Sequence, residues 1–223
     1  MSRAAREAGD ESTPRSRLRF PGVRAPKPLL SPETERGLTA RQLEVLDELE
    51  GIVALGGLAD LTMAEIAAEL NCSLRTLYGI APSKEALVLA VVDRRLRRIG
   101  RAAIATLEAS MSPLEALRAY LQATSEAVQP STEAFGRELA GIVDAERLLD
   151  GHERYVMAVT RSLLDRAVAA AEIGAVDTSA LAHLLGGLGR EFARPEIAKQ
   201  VARPPKATAD ALVEIILRGL RRN

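Results

Sequence analysis

Thr62-Met63-Ala64-Glu65-Ile66-Ala67-Ala68-Glu69-Leu70-Asn71-Cys72-Ser73-Leu74-Arg75-Thr76-Leu77-Tyr78 is the stretch that decides the fold. Thr62 and Glu65 form a capping box, in which each side chain satisfies the other residue's backbone N–H at a helix start. Met63, Ile66, Ala67 and Leu70 then recur on one helical face. Asn71 tolerates the left-handed backbone that a tight turn needs. Ser73 caps a second, very short helix to about Ile80, anchored by Leu77 and carrying Arg75, Thr76 and Tyr78 outward. Two short helices across a tight turn have helix-turn-helix spacing. In that motif the first helix crosses the DNA backbone, and the second lies in the major groove and is read from its N-terminal residues.

Working outward, the helical pattern continues in both directions. Thr39 with Gln42 is another capping box, and Val45, Leu49, Ile52 and Val53 follow at helical spacing to about Leu55, where Gly56-Gly57 stops the run. Ser83 caps a long helix through Leu87, Val91, Leu96 and Ile104. Ser112-Pro113 with Glu115 opens a helix to about Val128, and two more are expected at 132–149 and 152–173, the first broken at Gly141 and the second ended by Gly174. Asp177 caps the next, and a final helix spans about 208–221 beyond Pro204-Pro205. With no alternating strand pattern, the chain is expected to be all-α, with about nine helices.

Composition bounds the rest. The chain has 223 residues, 47% of them hydrophobic but only 3% aromatic, so a substantial core is expected and it must be aliphatic. Cys72 is the single cysteine, which excludes an internal disulfide framework and a multi-cysteine metal site. No signal-peptide pattern and no apolar run of the ~18 residues that span a bilayer is present, so a cytoplasmic protein with no membrane partner is expected. The sequence carries no Gly-x-Ser-x-Gly, Cys-x-x-Cys, His-Glu-x-x-His or phosphate-loop pattern, which leaves enzyme chemistry, a cofactor and a metal without support.

Thirty basic and thirty acidic side chains cancel, so contact with a polyanion must come from local placement. Residues 1–38 hold eight basic against five acidic side chains and five prolines, and are expected to be a flexible basic arm. Its run Arg15, Arg17, Arg19, Arg24 and Lys27 is a solvated tail or an arm that touches DNA phosphates. Residues 39–85 form the helix-turn-helix domain, and 86–223 a larger helical domain. The 39–101 block holds nine acidic residues against eight basic, and Glu44, Asp47, Glu48 and Glu50 crowd its first helix. Arg94, Arg95, Arg97, Arg98 and Arg101 begin about 15 Å along the long helix from Lys84, far enough to suit a solvated or salt-bridged face better than DNA.

On Gly57 through Ala67, Ser73 through Tyr78 and Pro82 through Leu87, the sequence resembles the tetracycline-repressor (TetR) family of bacterial regulators. The marks are Thr76-Leu77-Tyr78 closing the second helix and Ser83-Lys84-Glu85 opening the long one. The sequence departs at Asn71, where the family has Gly, at Arg75, where it has a small residue, and at Ile80 and Ala81, where it has a His or Tyr and then a Phe. The resemblance implies that Thr62 caps its helix and touches the DNA backbone, that Ser73, Leu74 and Arg75 face the groove, and that Thr76, Tyr78 and Lys84 bind phosphates.

The resemblance also implies a C-terminal ligand pocket and a dimer seam on the last two long helices. Tyr120, Phe135, His152, Tyr155 and His183 are the candidate pocket residues. Leu181, Leu184, Leu185 and Leu188, with Leu212, Ile215, Ile216 and Leu220, are the candidates for the seam. The expected function is a homodimeric repressor released from operator DNA by a small apolar ligand. The alternative is a helical ligand- or partner-binding protein that kept the fold with weak or no DNA affinity.

Overall fold

The structure, a computed structural model, describes residues 17–55, 57–128, 138–139 and 141–221. Arg15 and Phe135 lie outside the described residues. Among those described, ten helices account for the regular structure and there is no sheet, as the all-α expectation requires. In chain order they are α1 (Pro32–Gly37), α2 (Ala40–Ala54), α3 (Met63–Glu69), α4 (Leu74–Tyr78), α5 (Lys84–Ala105), α6 (Pro113–Val128), α7 (Ala145–Ala169), α8 (Thr178–Ala193), α9 (Pro195–Ala198) and α10 (Pro205–Leu220). No described helix is long and apolar enough to cross a membrane.

The helix starts follow the capping residues. Thr39, Thr62, Ser73, Ser83 and Asp177 each accept a backbone N–H from the first turn of their helix. The ends differ more. Gly141 sits at φ +83°, in the left-handed region that glycine favours, and α7 then runs unbroken from Ala145 through Gly151. The boundary expected between 149 and 152 is therefore absent, and one helix runs over 145–169, while residues 132–137 and 140 of the first expected helix lie outside the described residues. Leu148 and Leu149 pack on one core, and Val159, Leu163 and Leu164 on another. That continuous apolar stripe outweighs the ~1 kcal/mol that a mid-helix glycine costs.

The end of α7 is set by Ala171 and not by Gly174. Ala171 adopts φ +56°. Its N–H bonds Val168 O and the Glu172 N–H bonds Ala167 O, both at 3.0 Å, which is the Schellman termination. Asn71 ends α3 the same way at φ +48°, with its N–H on Ala68 O and the Cys72 N–H on Ala67 O. The short α1 and α9 were not anticipated, and both begin at a proline, Pro32 and Pro195.

Two apolar cores result. The first gathers Val45, Leu46 and Leu49 of α2, Ile66 of α3, Leu77 of α4 and Leu87 to Val92 of α5. Ile80 and Ala81 are buried in it, so the two departures from the family pattern are core positions filled by aliphatic side chains. The second core gathers Leu117 and Tyr120 of α6, Leu163 and Leu164 of α7, Leu185 of α8 and Leu217 of α10. Helix α5 threads both: Leu87 is buried in the first and Ala103 in the second.

The basic N-terminal segment is not a free arm over its described part, residues 17–38. The Leu18 N–H donates to Leu107 O at 3.2 Å, and Leu18, Phe20 and Val23 pack on the second core. Arg166 lies 5.0 Å over the Phe20 ring and donates to Arg19 O. Arg97 donates to Pro26 O at 2.6 Å, and the Leu29 N–H to Asp93 Oδ2 at 2.9 Å. The segment thus runs as a strap along α5, from its C-terminal end back towards α2.

The acidic face of α2 is accounted for by internal ion pairs. Arg94 Nη1 lies 2.6 Å from both Asp47 Oδ1 and Glu50 Oε1, and Arg98 also pairs with Glu50. Arg41 pairs with Glu44 at 3.0 Å and Glu48 at 3.2 Å. Two members of the arginine run on α5, Arg94 and Arg98, thus clamp α2, and a third, Arg97, holds the N-terminal segment.

Candidate nucleic-acid interface

Helix α4 is only five residues long and needs outside support. Leu77 anchors it in the first core. Ser73 Oγ accepts the Thr76 N–H at 3.1 Å and lies 2.9 Å from Thr76 Oγ1, so both hydroxyls stand at the helix start. Gln42 of α2 donates from Nε2 to Thr76 O at 3.4 Å. Arg41 of α2 donates to Leu70 O at 2.6 Å, fixing the end of α3. Both helices of the motif are thus pinned by the first turn of α2.

Leu74, Arg75 and Tyr78 are left facing solvent, with Leu74 and Tyr78 42% and 53% exposed. Arg75 makes no ion pair among the described residues. Beside these side chains lies an open depression of about 510 Å³, lined by Thr39, Arg41, Ser73, Arg75, Thr76 and Tyr78 among others. The structure brings Ser73, Arg75, Thr76 and Tyr78 together there, as the sequence implied. It adds Thr39 and Arg41, which sequence reasoning missed as site residues. The Thr39–Gln42 capping box was legible, but its placement beside α4 is a tertiary fact.

Two expected contacts are partly committed elsewhere. Thr62 Oγ1 accepts the Glu65 N–H, and the Thr62 N–H at 2.8 Å and then its hydroxyl at 2.7 Å donate to Glu65 Oε2, which holds the Glu65 carboxyl below its usual range. Lys84 Nζ donates to Ala59 O at 2.6 Å, fastening the turn ahead of α3 to the start of α5.

The candidate pocket residues divide: Tyr120 and Tyr155 meet in the second core, whereas His152 and His183 lie apart from it. Tyr120 is fully buried in the second core, its phenol pushed up by burial and by neighbouring Tyr155. Its hydroxyl and that of the equally buried Thr160 have no hydrogen-bond partner among the described residues. His152 instead pairs with Asp93 at 2.8 Å, and His183 is exposed on α8. The candidate seam residues also divide. Leu185 and Leu188 belong to the protomer's own core, and Leu181, Leu212, Ile216 and Leu220 are partly buried against it. Leu184 and Ile215 are 48% and 65% exposed. Gly186 faces inward, where a Cβ would stand 3.0 Å from Met157 Cγ.

Residues 46–91, which run from α2 through the helix-turn-helix into α5, match the family described as bacterial regulatory proteins, tetR family. Over that stretch the chain is similar to the tetR family. An uncharacterized HTH-type transcriptional regulator of Mycobacterium tuberculosis H37Rv is 34% identical over 97 residues, covering 41% of this chain and 48% of the relative. The chain thus spans about half the length of the curated relatives it matches. Among solved structures, a TetR transcription regulatory protein from Mycobacterium vanbaalenii is 28% identical with a TM-score of 0.52, covering 85% of this chain and 98% of that one. A tetR-family regulatory protein from Rhodococcus RHA1 shares the fold at 19% identity with a TM-score of 0.60, over 83% and 99% of the two chains.

Proposed function

We propose that the chain is a cytoplasmic, homodimeric regulator that reads double-stranded operator DNA with α4 and represses until a small ligand enters the second core. The observation that carries this reading is the exposed Leu74, Arg75 and Tyr78 face on a recognition helix locked from behind by α2. An arginine so placed can donate two bonds to guanine O6 and N7, worth about 1–3 kcal/mol of discrimination. Thr39, Ser73, Thr76 and Tyr78 surround it with groups that bind phosphates.

Ile80, Ala81 and the acidic excess of residues 39–101, which would favour a protein without DNA affinity, have structural explanations. Ile80 and Ala81 are core residues, and the carboxylates of α2 are neutralised by Arg41, Arg94 and Arg98. The ligand reading rests on an aliphatic core in which the hydroxyls of Tyr120 and Thr160 are unpartnered. Buried hydroxyls without partners are costly, and a mainly apolar ligand with one polar end would satisfy them on entry. Its entry would shift the two reading heads of a dimer relative to one another and so lower operator affinity.

The test is fluorescence anisotropy on a duplex tiled across the DNA upstream of the protein's own gene, with scrambled duplex as control. The reading requires preference for one upstream segment. It also requires that Arg75→Ala lower that preference by about 1–3 kcal/mol, while Lys84→Ala weakens all duplexes alike. Equal binding to upstream and scrambled DNA would remove the proposal.

A further inference from the structure

Glu138 lies in sequence beyond α6, yet its carboxylate is 4% exposed and reaches the turn ahead of α3. Oε2 accepts the Leu58 N–H at 3.0 Å, and the Ala59 N–H also acts on the carboxylate. Lys84 grips the same turn with the opposite polarity, through Ala59 O. Leu58 is fully buried, and neighbouring Leu139 enters the same first core. The Leu61 N–H closes onto Leu58 O at 3.0 Å, and the next residue is the Thr62 cap of α3. A displacement of Glu138 is therefore passed through one closed turn to the first helix of the motif.

We infer that Glu138 is a positioning residue for the reading head, tying the Leu58–Ala59 turn, and with it α3 and α4, to the chain that follows α6. The inference rests on the DNA-reading function proposed above. Glu138 Oε1 is buried without a hydrogen-bond partner among the described residues. Burial pushes the Glu138 carboxyl above its usual range, against the pull of the Leu58 and Ala59 N–H groups and of Lys84. A carboxyl raised on folding contributes stability below its unfolded pKa and loses it as pH rises through the folded value. Above that folded value the ionised group is held in the turn against its burial, an opposition to folding that a neutral isostere does not carry.

That opposition separates positioning from simple support. Full-length wild type, Glu138→Gln and Glu138→Ala are compared by thermal unfolding, by amide exchange over residues 57–78, and by anisotropy on the upstream and scrambled duplexes. Gln keeps an acceptor oxygen for the Leu58 N–H, but it puts an NH2 where the unpartnered Oε1 stands and its neutral head loses Lys84. Glu138→Gln is expected to melt at or above the wild-type temperature. It should nevertheless exchange faster at Leu58, Ala59 and through α3 and α4, and bind the upstream duplex about tenfold more weakly, with scrambled DNA little affected. Glu138→Ala, where it folds, should exchange faster still.

Wild-type exchange and affinity in Glu138→Gln would overturn the inference. So would a fall in melting temperature that accounts for the whole loss of affinity, since Glu138 would then only support the fold. If wild type fails to distinguish the two duplexes, the DNA-reading proposal fails. The exchange measurement still decides whether Glu138 holds the turn.

Discussion

His152 Nε2 lies 2.8 Å from Asp93 Oδ1 while the Leu29 N–H donates to Asp93 Oδ2 at 2.9 Å, so one carboxylate joins α7, α5 and the N-terminal strap. Asp93 and His152 are 2% and 8% exposed, so solvent cannot replace a lost partner. His152 is thereby a structural residue, although it was a candidate ligand contact. His152→Ala should cost about 2–3 kcal/mol in urea unfolding, because it strands a buried acceptor. Asp93→Ala should cost more, since it strands both the imidazole and the Leu29 N–H. Loss below about 0.5 kcal/mol would mean that the junction relaxes around the gap.

The strap changes what the N-terminal charges can do. The Arg17 backbone pairs in an isolated antiparallel β-bridge with Glu108, beyond the C-terminal end of α5, whose 22 residues span about 33 Å from Lys84. A charge held there is more than a Debye length from DNA at physiological salt, about 8 Å. Replacing Arg17, Arg19, Arg24 and Lys27 with Ser should leave the slope of log K against log salt unchanged, whereas each lost phosphate contact would flatten it by about 0.9. Phe20→Ala should instead lower stability by about 2 kcal/mol, from lost packing and the Arg166 stacking. A flattened slope in the fourfold variant would place the strap on DNA.

Acid should loosen the motif from its first turn. Glu65 is held below its usual range chiefly by the Thr62 N–H and then by the Thr62 hydroxyl. A carboxyl lowered on folding contributes stability above its unfolded pKa and loses it as pH falls through the folded value. Amide exchange at Thr62, corrected for its intrinsic pH dependence, should accelerate below the ordinary Glu range of about 4. Glu65→Gln, which keeps an acceptor but no charge, should remove that acceleration. A Thr62 amide indifferent to acid in the wild type would show that the box does not depend on the carboxylate.

Much of this was legible in local chemistry. Caps act over three residues, so Thr39, Thr62, Ser73, Ser83 and Asp177 announced five helix starts with no knowledge of the fold. The turn at Asn71 was legible for the same reason. What escaped depended on contacts distant in sequence. Glu138 meets Leu58 across 80 positions and Arg166 meets Arg19 across 147. The strap looked like a free arm because its prolines and arginines carry no helical period, and its anchors Leu18, Phe20 and Val23 are too few to signal burial. His152 was grouped with Tyr120 as a pocket residue by type, although it pairs with Asp93 in a polar junction.

Ala171 shows a local rule broken. It holds φ +56° at the Schellman position, where a Cβ is strained and glycine is not. Ala171→Gly should therefore raise stability by about 0.5–1 kcal/mol, the relief exceeding the added freedom of the unfolded chain. Urea midpoints of the two proteins measure it. A destabilised Gly variant would mean that the alanine methyl packs more favourably than its backbone suffers.

The proposed dimer makes the sharpest demand on the second core. Leu185 and Leu188 already face inward, so substituting them would unfold the protomer and say nothing about association. Leu184 of α8 and Ile215 of α10 are the informative pair, at 48% and 65% exposed. Gly187 stands three positions after Leu184 and Gly219 four after Ile215, so each shares its neighbour's helical face. A Cβ at Gly219 would meet nothing within 4 Å, and one at Gly187 only the Glu153 carboxylate at 3.9 Å. Large apolar side chains beside open glycines leave room for a second copy's helices to approach closely. Leu184→Glu with Ile215→Glu places two charges on each protomer at the centre of that face. In a twofold interface they meet their own copies, so repulsion adds to desolvation. Light scattering should find wild type at twice the protomer mass at micromolar concentration and the double variant at the protomer mass, with its helical signal unchanged. Operator binding should fall with the dimer, because paired half-sites need both reading heads. A monomeric wild type, or a double variant that stays dimeric, would move the interface away from α8 and α10.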